Sequence, residues 1–238
     1  MENTKNSIEE PTSAEAYVNR GDKFYDQGDY QAALSDYDEA IRLAPEYARA
    51  YSNRGAAKGD LGKHFEALSD YDQAIRLDPN DAAVYYNRGN AKVRLGHPEA
   101  AIPDYDAAIR LDSNNVEVYT SRGNAKSKLG KYFEAISDYD ASIRLNPEYT
   151  IAYNNRGFVK SQLGHFEAAI LDYDEAIRIN PEYAKAYNNR GAAKNELGDL
   201  EAAISDYDEA IRLNPEYAKA HANRENAQKE LREREKET

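Results

Sequence analysis

The hydrophobic and polar positions of this chain recur with a period of 34 residues over most of its length. With Ala14 as position 1, each repeat begins with a mainly apolar stripe at positions 3, 4, 7, 8, 11 and 14, which share one side of a helix. A second stripe with helical spacing follows at positions 20, 24, 27, 28 and 30. Position 15 between the stripes is always glycine, the usual residue just after a helix C-terminus. Each repeat is therefore predicted to be two helices joined by a tight turn.

Six such repeats follow one another without insertion or deletion. They span residues 14–47, 48–81, 82–115, 116–149, 150–183 and 184–217. A fixed period of this length indicates an array of stacked units, each of which buries its apolar face against its neighbours. Residues 218–238 continue the pattern through one more first helix and end in charged residues, so they are predicted to form a solvating cap. Residues 1–13 are predicted to be a disordered lead.

Composition and charge exclude several classes of protein. The 238 residues contain no cysteine, which excludes a disulfide framework, thiolate metal ligands and a cysteine nucleophile. The net charge of −12 makes nucleic acid an unsuitable partner. The longest unbroken apolar run, Ala82–Tyr86, is far too short to cross a bilayer, so no membrane insertion is expected. The polar start of the chain has no secretory signal, and a cytoplasmic location is expected.

The sequence contains no residue pattern typical of a catalytic site. The four histidines do not converge, and no His-Glu-x-x-His or comparable spacing of metal ligands occurs. An Asp-Tyr-Asp motif recurs in every repeat, but side chains two residues apart on a helix point in different directions. The chain is therefore predicted not to be an enzyme and to hold no metal ion or cofactor.

The repeat resembles the tetratricopeptide repeat family. The resemblance lies in Tyr at position 4, Gly at 8, Ala at 20, Tyr at 24 and, in five repeats, Pro at 32, and it covers residues 14–217. It implies an all-α, right-handed superhelical solenoid of stacked antiparallel helix pairs, with the first helices lining the inner surface. It also implies a protein-interaction scaffold. Two positions depart from the family pattern, since position 7 is Arg instead of Leu and position 11 is mostly Lys instead of Tyr.

The arginines at position 7 are predicted to form ion pairs within each repeat. In an antiparallel hairpin that turns near positions 15 and 16, position 7 faces position 23, which is always Asp. The predicted pairs are Arg20–Asp36, Arg54–Asp70, Arg88–Asp104, Arg122–Asp138, Arg156–Asp172 and Arg190–Asp206. The alternative is that these arginines bind an anionic ligand. The lysines at position 11 are expected to pack their stems and to extend their ammonium groups into solvent. Asp at position 25 is expected to support the second helix by pairing with Arg at position 29.

Asparagines at position 6 are the main candidates for ligand binding. In the tetratricopeptide repeat family, positions 2, 5, 6, 9, 12 and 13 of the first helix build the inner surface. An amide both donates and accepts hydrogen bonds, so a row of asparagines suits an extended peptide backbone. The ladder residues predicted to bind peptide are Asn53, Asn87, Asn155 and Asn189. The alternative is that these side chains link adjacent first helices and bind no ligand.

The middle repeats add six further candidates on the same surface: Tyr86, Asn90, Arg94, Asn124, Lys128 and Phe158. The acidic residues are concentrated in the terminal repeats, which leaves repeats three and four neutral. Arg94 and Lys128 favour an acidic or phosphorylated protein partner, and Tyr86 and Phe158 are candidate apolar anchors.

Two other hypotheses for the partner follow from the sequence. Family members that bind the acidic C-termini of heat-shock proteins use a carboxylate clamp across three successive repeats. It needs Lys at position 5 and Asn at 9 in the first repeat, Asn at 6 in the second, and Lys at 2 and Arg at 6 in the third. Position 5 is never Lys and position 6 is never Arg in this chain, so that type of partner is not expected. The second hypothesis is a structural solenoid that self-associates through its terminal helices.

Overall fold

The computed structural model describes residues 11–237, with side chains described up to residue 235. That part of the chain forms thirteen α-helices and no strand. The helices are α1 Ala14–Asp26, α2 Tyr30–Leu43, α3 Ala48–Asp60, α4 His64–Leu77, α5 Ala82–Arg94, α6 Pro98–Leu111, α7 Val116–Lys128, α8 Tyr132–Leu145, α9 Thr150–Gln162, α10 Phe166–Ile179, α11 Ala184–Glu196, α12 Leu200–Leu213 and α13 Ala218–Glu237. Odd-numbered helices are the first helices of the repeats and even-numbered ones are the second. The predicted all-α class, built from consecutive helix pairs, is confirmed.

The helices belong to two compact units. The first unit extends to Ser113 and contains α1 to α6, and the second begins at Asn114 and contains α7 to α13. Within each unit every first helix packs on the second helix of its own repeat and on that of the preceding repeat. The final helix, α13, packs on α12 and α11. Of the predicted lead, residues 1–10 lie outside the described residues, whereas Ser13 accepts a hydrogen bond from the Ala16 amide and caps α1.

Glycine at position 15 makes the turn between the two helices of each repeat. Gly28, for example, has a φ of +78°, a left-handed conformation that favours glycine. Its amide donates to the carbonyl of Tyr25, and the Asp29 amide donates to the carbonyl of Phe24, both at 2.9 Å. These bonds satisfy the last carbonyls of α1, as expected of a glycine cap.

Glycine at position 8 allows the two helices of a repeat to approach closely. Each of these glycines faces the buried tyrosine at position 24 of its own repeat. A Cβ atom on Gly55 would lie 2.7 Å from ring atom Cε1 of Tyr71, and the other five repeats give 2.7 or 2.8 Å. No side chain fits at that distance, so glycine is the residue that lets the tyrosine fill the repeat core.

The predicted ion pairs between positions 7 and 23 are confirmed in all six repeats. The guanidinium–carboxylate distances lie between 2.5 and 2.7 Å. The aspartate side chains are only 4–6% exposed and the arginine side chains 18–25%. Each guanidinium also lies 5.4–5.7 Å from the ring centroid of the tyrosine at position 4. The arginines are therefore structural, which leaves them poorly placed to bind a ligand.

The expectation for the lysines at position 11 was wrong. Their ammonium groups bind the same buried aspartates at 2.6–2.9 Å, as in the 2.8 Å contact between Lys160 and Asp172. An extended lysine stem reaches across the helix pair, so the ammonium group supplies a second positive charge to the carboxylate instead of entering solvent.

The expected pairing of positions 25 and 29 was also wrong. Aspartate at position 25 binds the position-7 arginine of the following repeat, and within each unit these distances are 2.5–2.8 Å. Arginine at position 29 instead pairs with a glutamate three residues earlier where one is present, as in Arg42 with Glu39. Within a unit, the Asp-Tyr-Asp motif thus binds one arginine from its own repeat and one from the next.

None of the helices described here combines the length and apolar character needed to cross a membrane.

Two glycines of α3 test the close approach between helices. We expect Gly55→Ala to lower the free energy of unfolding by about 1–3 kcal/mol, because the added methyl group overlaps the buried ring of Tyr71. Gly59→Ala is the matched control, since its new Cβ would have only the Tyr71 hydroxyl nearby, at 3.6 Å. The control should be neutral or stabilise by up to about 1 kcal/mol through helix propensity. Equal effects of the two changes in urea unfolding would contradict the packing argument.

Two aspartates of α10 test the ion-pair network. Asp172→Asn leaves Arg156 and Lys160 without their buried counter-charge and should cost about 3–5 kcal/mol of unfolding free energy. Asp174→Asn removes a carboxylate that is 47% exposed and that, among the described residues, forms an ion pair with Arg190 alone, so it should cost no more than about 1 kcal/mol. Chemical denaturation of both variants measures the difference, and a cost for Asp172→Asn as small as that for Asp174→Asn would show that the network is dispensable.

Candidate peptide-binding surface

The predicted site residues all lie on first helices, which contact each other side by side within each unit. In the first unit α1, α3 and α5 form one such surface, and in the second unit α7, α9, α11 and α13 form another. We call each of these a first-helix surface. The first unit carries Asn53, Tyr86, Asn87, Asn90 and Arg94. The second unit carries Asn124, Lys128, Asn155, Phe158 and Asn189.

Asparagine amides of the second unit form a continuous hydrogen-bonded chain across four helices. The Nδ2 atom of Asn223 donates to Asn188 at 3.0 Å, and Asn188 donates to Asn189 at 3.2 Å. Asn189 donates to Asn154 at 3.0 Å. From there the bonds continue through Asn154 to Asn155 at 3.1 Å and Asn155 to Asn124 at 2.9 Å. We call these six residues the amide chain; each of its three bonds between helices donates to the preceding first helix of the unit.

In the first unit the ladder asparagines have different hydrogen-bond partners. Asn53 donates to Oδ1 of Asp22 at 2.7 Å, which joins α3 to α1. Asn87 has no hydrogen-bond partner for its side chain among the described residues. The repeat before it has Ala56 at position 9, where the first repeat has Asp22, so the corresponding acceptor is missing. Asn87 is therefore a ladder residue whose whole amide remains available.

The ladder thus links adjacent first helices, as the alternative interpretation proposed, through Asn53, Asn155 and Asn189. These links do not use all the hydrogen-bonding groups of the amides. Each side-chain NH₂ has two N–H groups and each carbonyl oxygen two lone pairs, and the links described use one donor of each amide. Contact with a peptide remains a prediction for these residues.

Buried tyrosines orient the asparagines at position 9. Tyr105 donates its hydroxyl to Oδ1 of Asn90, and Tyr139 donates to Oδ1 of Asn124, both at 2.8 Å. Burial of the two rings raises the pKa of each hydroxyl above its ordinary value, so both remain protonated donors at neutral pH. Because the oxygen of each amide accepts from the tyrosine, the NH₂ group is directed away from the repeat core.

Cationic and aromatic candidates differ in exposure. Arg94 and Lys128 are exposed, each one turn after the asparagine at position 9 of its helix. Phe158 is 42% exposed, and Ile151, two turns earlier on the same side of α9, is 41% exposed. Tyr86 is half-buried, with its ring centroid 6.2 Å from that of Tyr105. Phe158 is therefore the more accessible of the two predicted anchors.

Sequence reasoning missed the linking role of Asn188 and Asp22. Asn188 is completely buried and connects Asn223 to Asn189, and Asp22 accepts from Asn53 and from the Tyr37 hydroxyl. Consecutive asparagines at positions 5 and 6 of the last two repeats were the available signal. Within residues 11–237, no group of three or more His, Cys, Asp or Glu side chains is arranged to hold a metal ion.

Comparison with known families gives matches along nearly all of the helical array. The profile described as TPR repeat matches residues 21–62, 57–96, 89–130, 123–164 and 161–198, and the one described as Tetratricopeptide repeat matches 184–217. A search of curated protein sequences gives no significant match.

Three solved structures illustrate the similarity. The MamA protein is 27% identical with a TM-score of 0.65, and the alignment covers 74% of this chain and 96% of MamA. YrrB, described as a TPR protein with an unusual peptide-binding site, is 26% identical with a TM-score of 0.64, covering 78% of this chain and 96% of YrrB. A tetratricopeptide repeat protein from Parabacteroides merdae ATCC 43184 is 21% identical with a TM-score of 0.78, covering 93% and 88%. This last likeness concerns the fold alone.

Two alanine substitutions separate linking asparagines from unlinked ones. Asn189→Ala removes a donor to Asn154 and an acceptor for Asn188, so it should reduce the free energy of unfolding by about 1–2 kcal/mol relative to Asn87→Ala. Both changes alter helix propensity equally, which makes Asn87→Ala the control. Urea denaturation provides the measurement, and equal stability of the two variants would show that the links carry no energy.

Proposed function

This chain belongs to the tetratricopeptide repeat family, and we propose that it binds an extended segment of a partner protein on its first-helix surfaces. The repeats form a scaffold of the kind that mediates protein–protein interaction. The observation that carries the finer proposal is the exposed pair Phe158 and Ile151 on α9, which stands beside amides with unused hydrogen-bonding capacity.

Phe158 supplies the apolar part of the proposed contact. A few aromatic anchors dominate the binding energy of most protein interfaces, and surrounding polar contacts exclude water around them. The side chain occupies position 9, where the neighbouring first helices carry Asn124 and Ala192. A phenylalanine there cannot continue the amide chain, and Asn154 at position 5 accepts the link from Asn189 in its place.

The ladder supplies the polar part. Asn53, Asn87, Asn155 and Asn189 present N–H groups that an extended backbone satisfies through its carbonyl oxygens, independently of sequence. Asn87 offers its complete amide, whereas the other three offer what remains after the links between helices. Arg94 and Lys128 give the proposed segment an acidic or phosphorylated character, because both cations are exposed and unpaired within the described residues.

The similarity to YrrB supports this proposal. That protein is described as having a peptide-binding site, and its sequence identity to this chain is 26%. The proposed site of this chain uses the same repeat architecture, with its own set of anchors.

Self-association through the terminal helices is the second candidate. Glu225 of α13 occupies position 8, where every complete repeat has the glycine that admits the position-24 tyrosine. A second helix from another copy therefore cannot pack on α13 as the second helix of a repeat packs on its first helix. Light scattering over a concentration series distinguishes the two candidates, because a monomer at all concentrations disfavours self-association.

A pair of phenylalanine substitutions tests the binding surface. Peptides selected against the full chain from a random dodecapeptide display library provide the ligand, and fluorescence anisotropy measures its affinity. Phe158→Ala should weaken binding by about 2 kcal/mol or more, as expected for the loss of an aromatic anchor. Phe133→Ala is the matched control, since Phe133 is 75% exposed but belongs to the second helix α8.

The same assay tests the ladder. Asn87→Ala combined with Asn155→Ala should reduce the affinity further, while circular dichroism shows whether the helices persist. A dominant effect of Phe133→Ala, or unchanged affinity in the asparagine double variant, would place the contact elsewhere.

A further inference from the structure

The amide chain of the second unit has a direction. All five of its bonds run from an Nδ2 donor to an Oδ1 acceptor in the same sense, beginning at Asn223 and ending at Asn124. Amides aligned in this way polarise one another, so that each donor in the chain is strengthened by the bond before it. The accepting end of the chain is the carbonyl of Asn223, and the donating end is the NH₂ group of Asn124.

Asn124 is fixed as a donor toward solvent. Its Oδ1 atom accepts two hydrogen bonds, from Asn155 at 2.9 Å and from Tyr139 at 2.8 Å, so its oxygen lone pairs are used. Within the described part of the chain, its Nδ2 atom has no partner. No buried side-chain nitrogen or oxygen there lacks a hydrogen bond, and it follows that this NH₂ group reaches solvent. A rotation of the amide would break both bonds to the oxygen.

A positively charged residue follows Asn124 on the same side of its helix. Lys128 is four residues further along α7, a spacing that places the Cβ atoms of the two residues about 5–6 Å apart. The lysine is exposed, and its ammonium group has no carboxylate partner among the described residues. The lysine two residues earlier, Lys126, is unavailable because it binds the buried Asp138 at 2.9 Å.

We propose that Asn124 and Lys128 form a binding site for a single carboxylate, supplied by an aspartate or glutamate of the bound segment. The inference rests on the proposed function and specifies its chemistry. A carboxylate has two oxygens, which match one amide donor and one ammonium donor, and its single negative charge balances the lysine. A neutral amide in the ligand cannot use the positive charge, so the site discriminates glutamate from glutamine.

The same order of residues occurs once more, in the first unit. Tyr105 donates to Asn90, and Arg94 follows four residues after that asparagine. The recurrence indicates that two repeats combine an asparagine oriented by a tyrosine with an exposed cation one turn later. The site at Asn124 differs in being the end of the amide chain.

Nuclear magnetic resonance titration of the full ¹⁵N-labelled chain tests the proposal. The probes are blocked nonapeptides of glycine and serine in which two phenylalanines flank a variable central residue: glutamate, glutamine or phosphoserine. The glutamate peptide should shift the side-chain NH₂ signals of Asn124 and bind roughly tenfold more tightly than the glutamine peptide, as expected for a hydrogen bond to a charged group. Equal binding of the two peptides would overturn the inference, as would a preference for phosphoserine.

Three variants and one control variant identify the groups involved. Lys128→Gln should reduce the preference for glutamate about threefold or more, whereas Lys131→Gln, which removes the same charge from an exposed turn, should leave it unchanged. Asn124→Asp replaces the donor by a like charge and should abolish the preference. Tyr139→Phe should weaken it without altering the binding of the glutamine peptide.

Failure of the inference is distinguishable from failure of the proposed function. If glutamate and glutamine peptides both shift signals of the first-helix surfaces to the same extent, the proposed function stands and the carboxylate site is refuted. If none of the three peptides shifts any signal on those surfaces, the carboxylate site is refuted together with the peptide contact that it requires.

Discussion

Arginine at position 7 is the residue through which the helices of a repeat, and successive repeats within a unit, are held in register. Its guanidinium group binds the aspartate at position 23 of its own repeat and the aspartate at position 25 of the repeat before it, as Arg156 binds Asp172 and Asp140. Burial alone would lower the pKa of this arginine, but hydrogen bonds to both aspartates outweigh that effect and raise it. A buried ion pair is often no more stabilising than an apolar pair of the same volume. Its value here is geometric, because the planar group meets both carboxylates only when the repeats are stacked at the correct offset.

The apolar core depends on the same register. Tyrosine at position 24 lies between the two aspartates in sequence, and its ring rests against glycine at position 8, the residue after the arginine. A displacement of one helix along the other would move the ring onto a residue with a side chain and separate the charges at the same time. The polar network and the close packing therefore select the same arrangement, which is how a sequence specifies one structure.

The scaffold and the candidate site share a residue. The ring of Tyr139 fills the core of its repeat, while its hydroxyl holds the oxygen of Asn124 and so directs the amide nitrogen outward. The packing of the helix pair thus orients the amide of the proposed binding surface. An asparagine without such support would rotate freely and would present donor and acceptor equally.

Contacts within a repeat were predictable from the sequence, whereas most contacts between repeats were not. The hairpin geometry places position 7 opposite position 23, and this alone predicts Arg88 with Asp104. The bond that the same arginine donates to Asp72 depends on the offset between successive repeats, which one repeat considered alone does not contain. The sequence predicts that the ammonium groups of the lysines at position 11 point into solvent. This prediction fails because their reach across the helix pair depends on side-chain rotamers, which the sequence pattern does not contain. For the same reason the sequence did not decide whether a ladder asparagine bonds to position 5 or position 9 of its neighbour.

The final helix, α13, is held by the same kinds of contact that join successive repeats. In α13, Arg224 binds Asp208 at 2.8 Å and Asn223 donates to Asn188, so the cap satisfies the last aspartate and the last buried amide. Glu225 then replaces the glycine at position 8 and closes the space in which another tyrosine would pack. The bond from Asn223 is also the first in the amide chain that ends at Asn124. Asn223 donates to the buried oxygen of Asn188, and each following bond keeps the same sense, so the chain that begins in the cap ends in the amide donor of Asn124, one turn before Lys128.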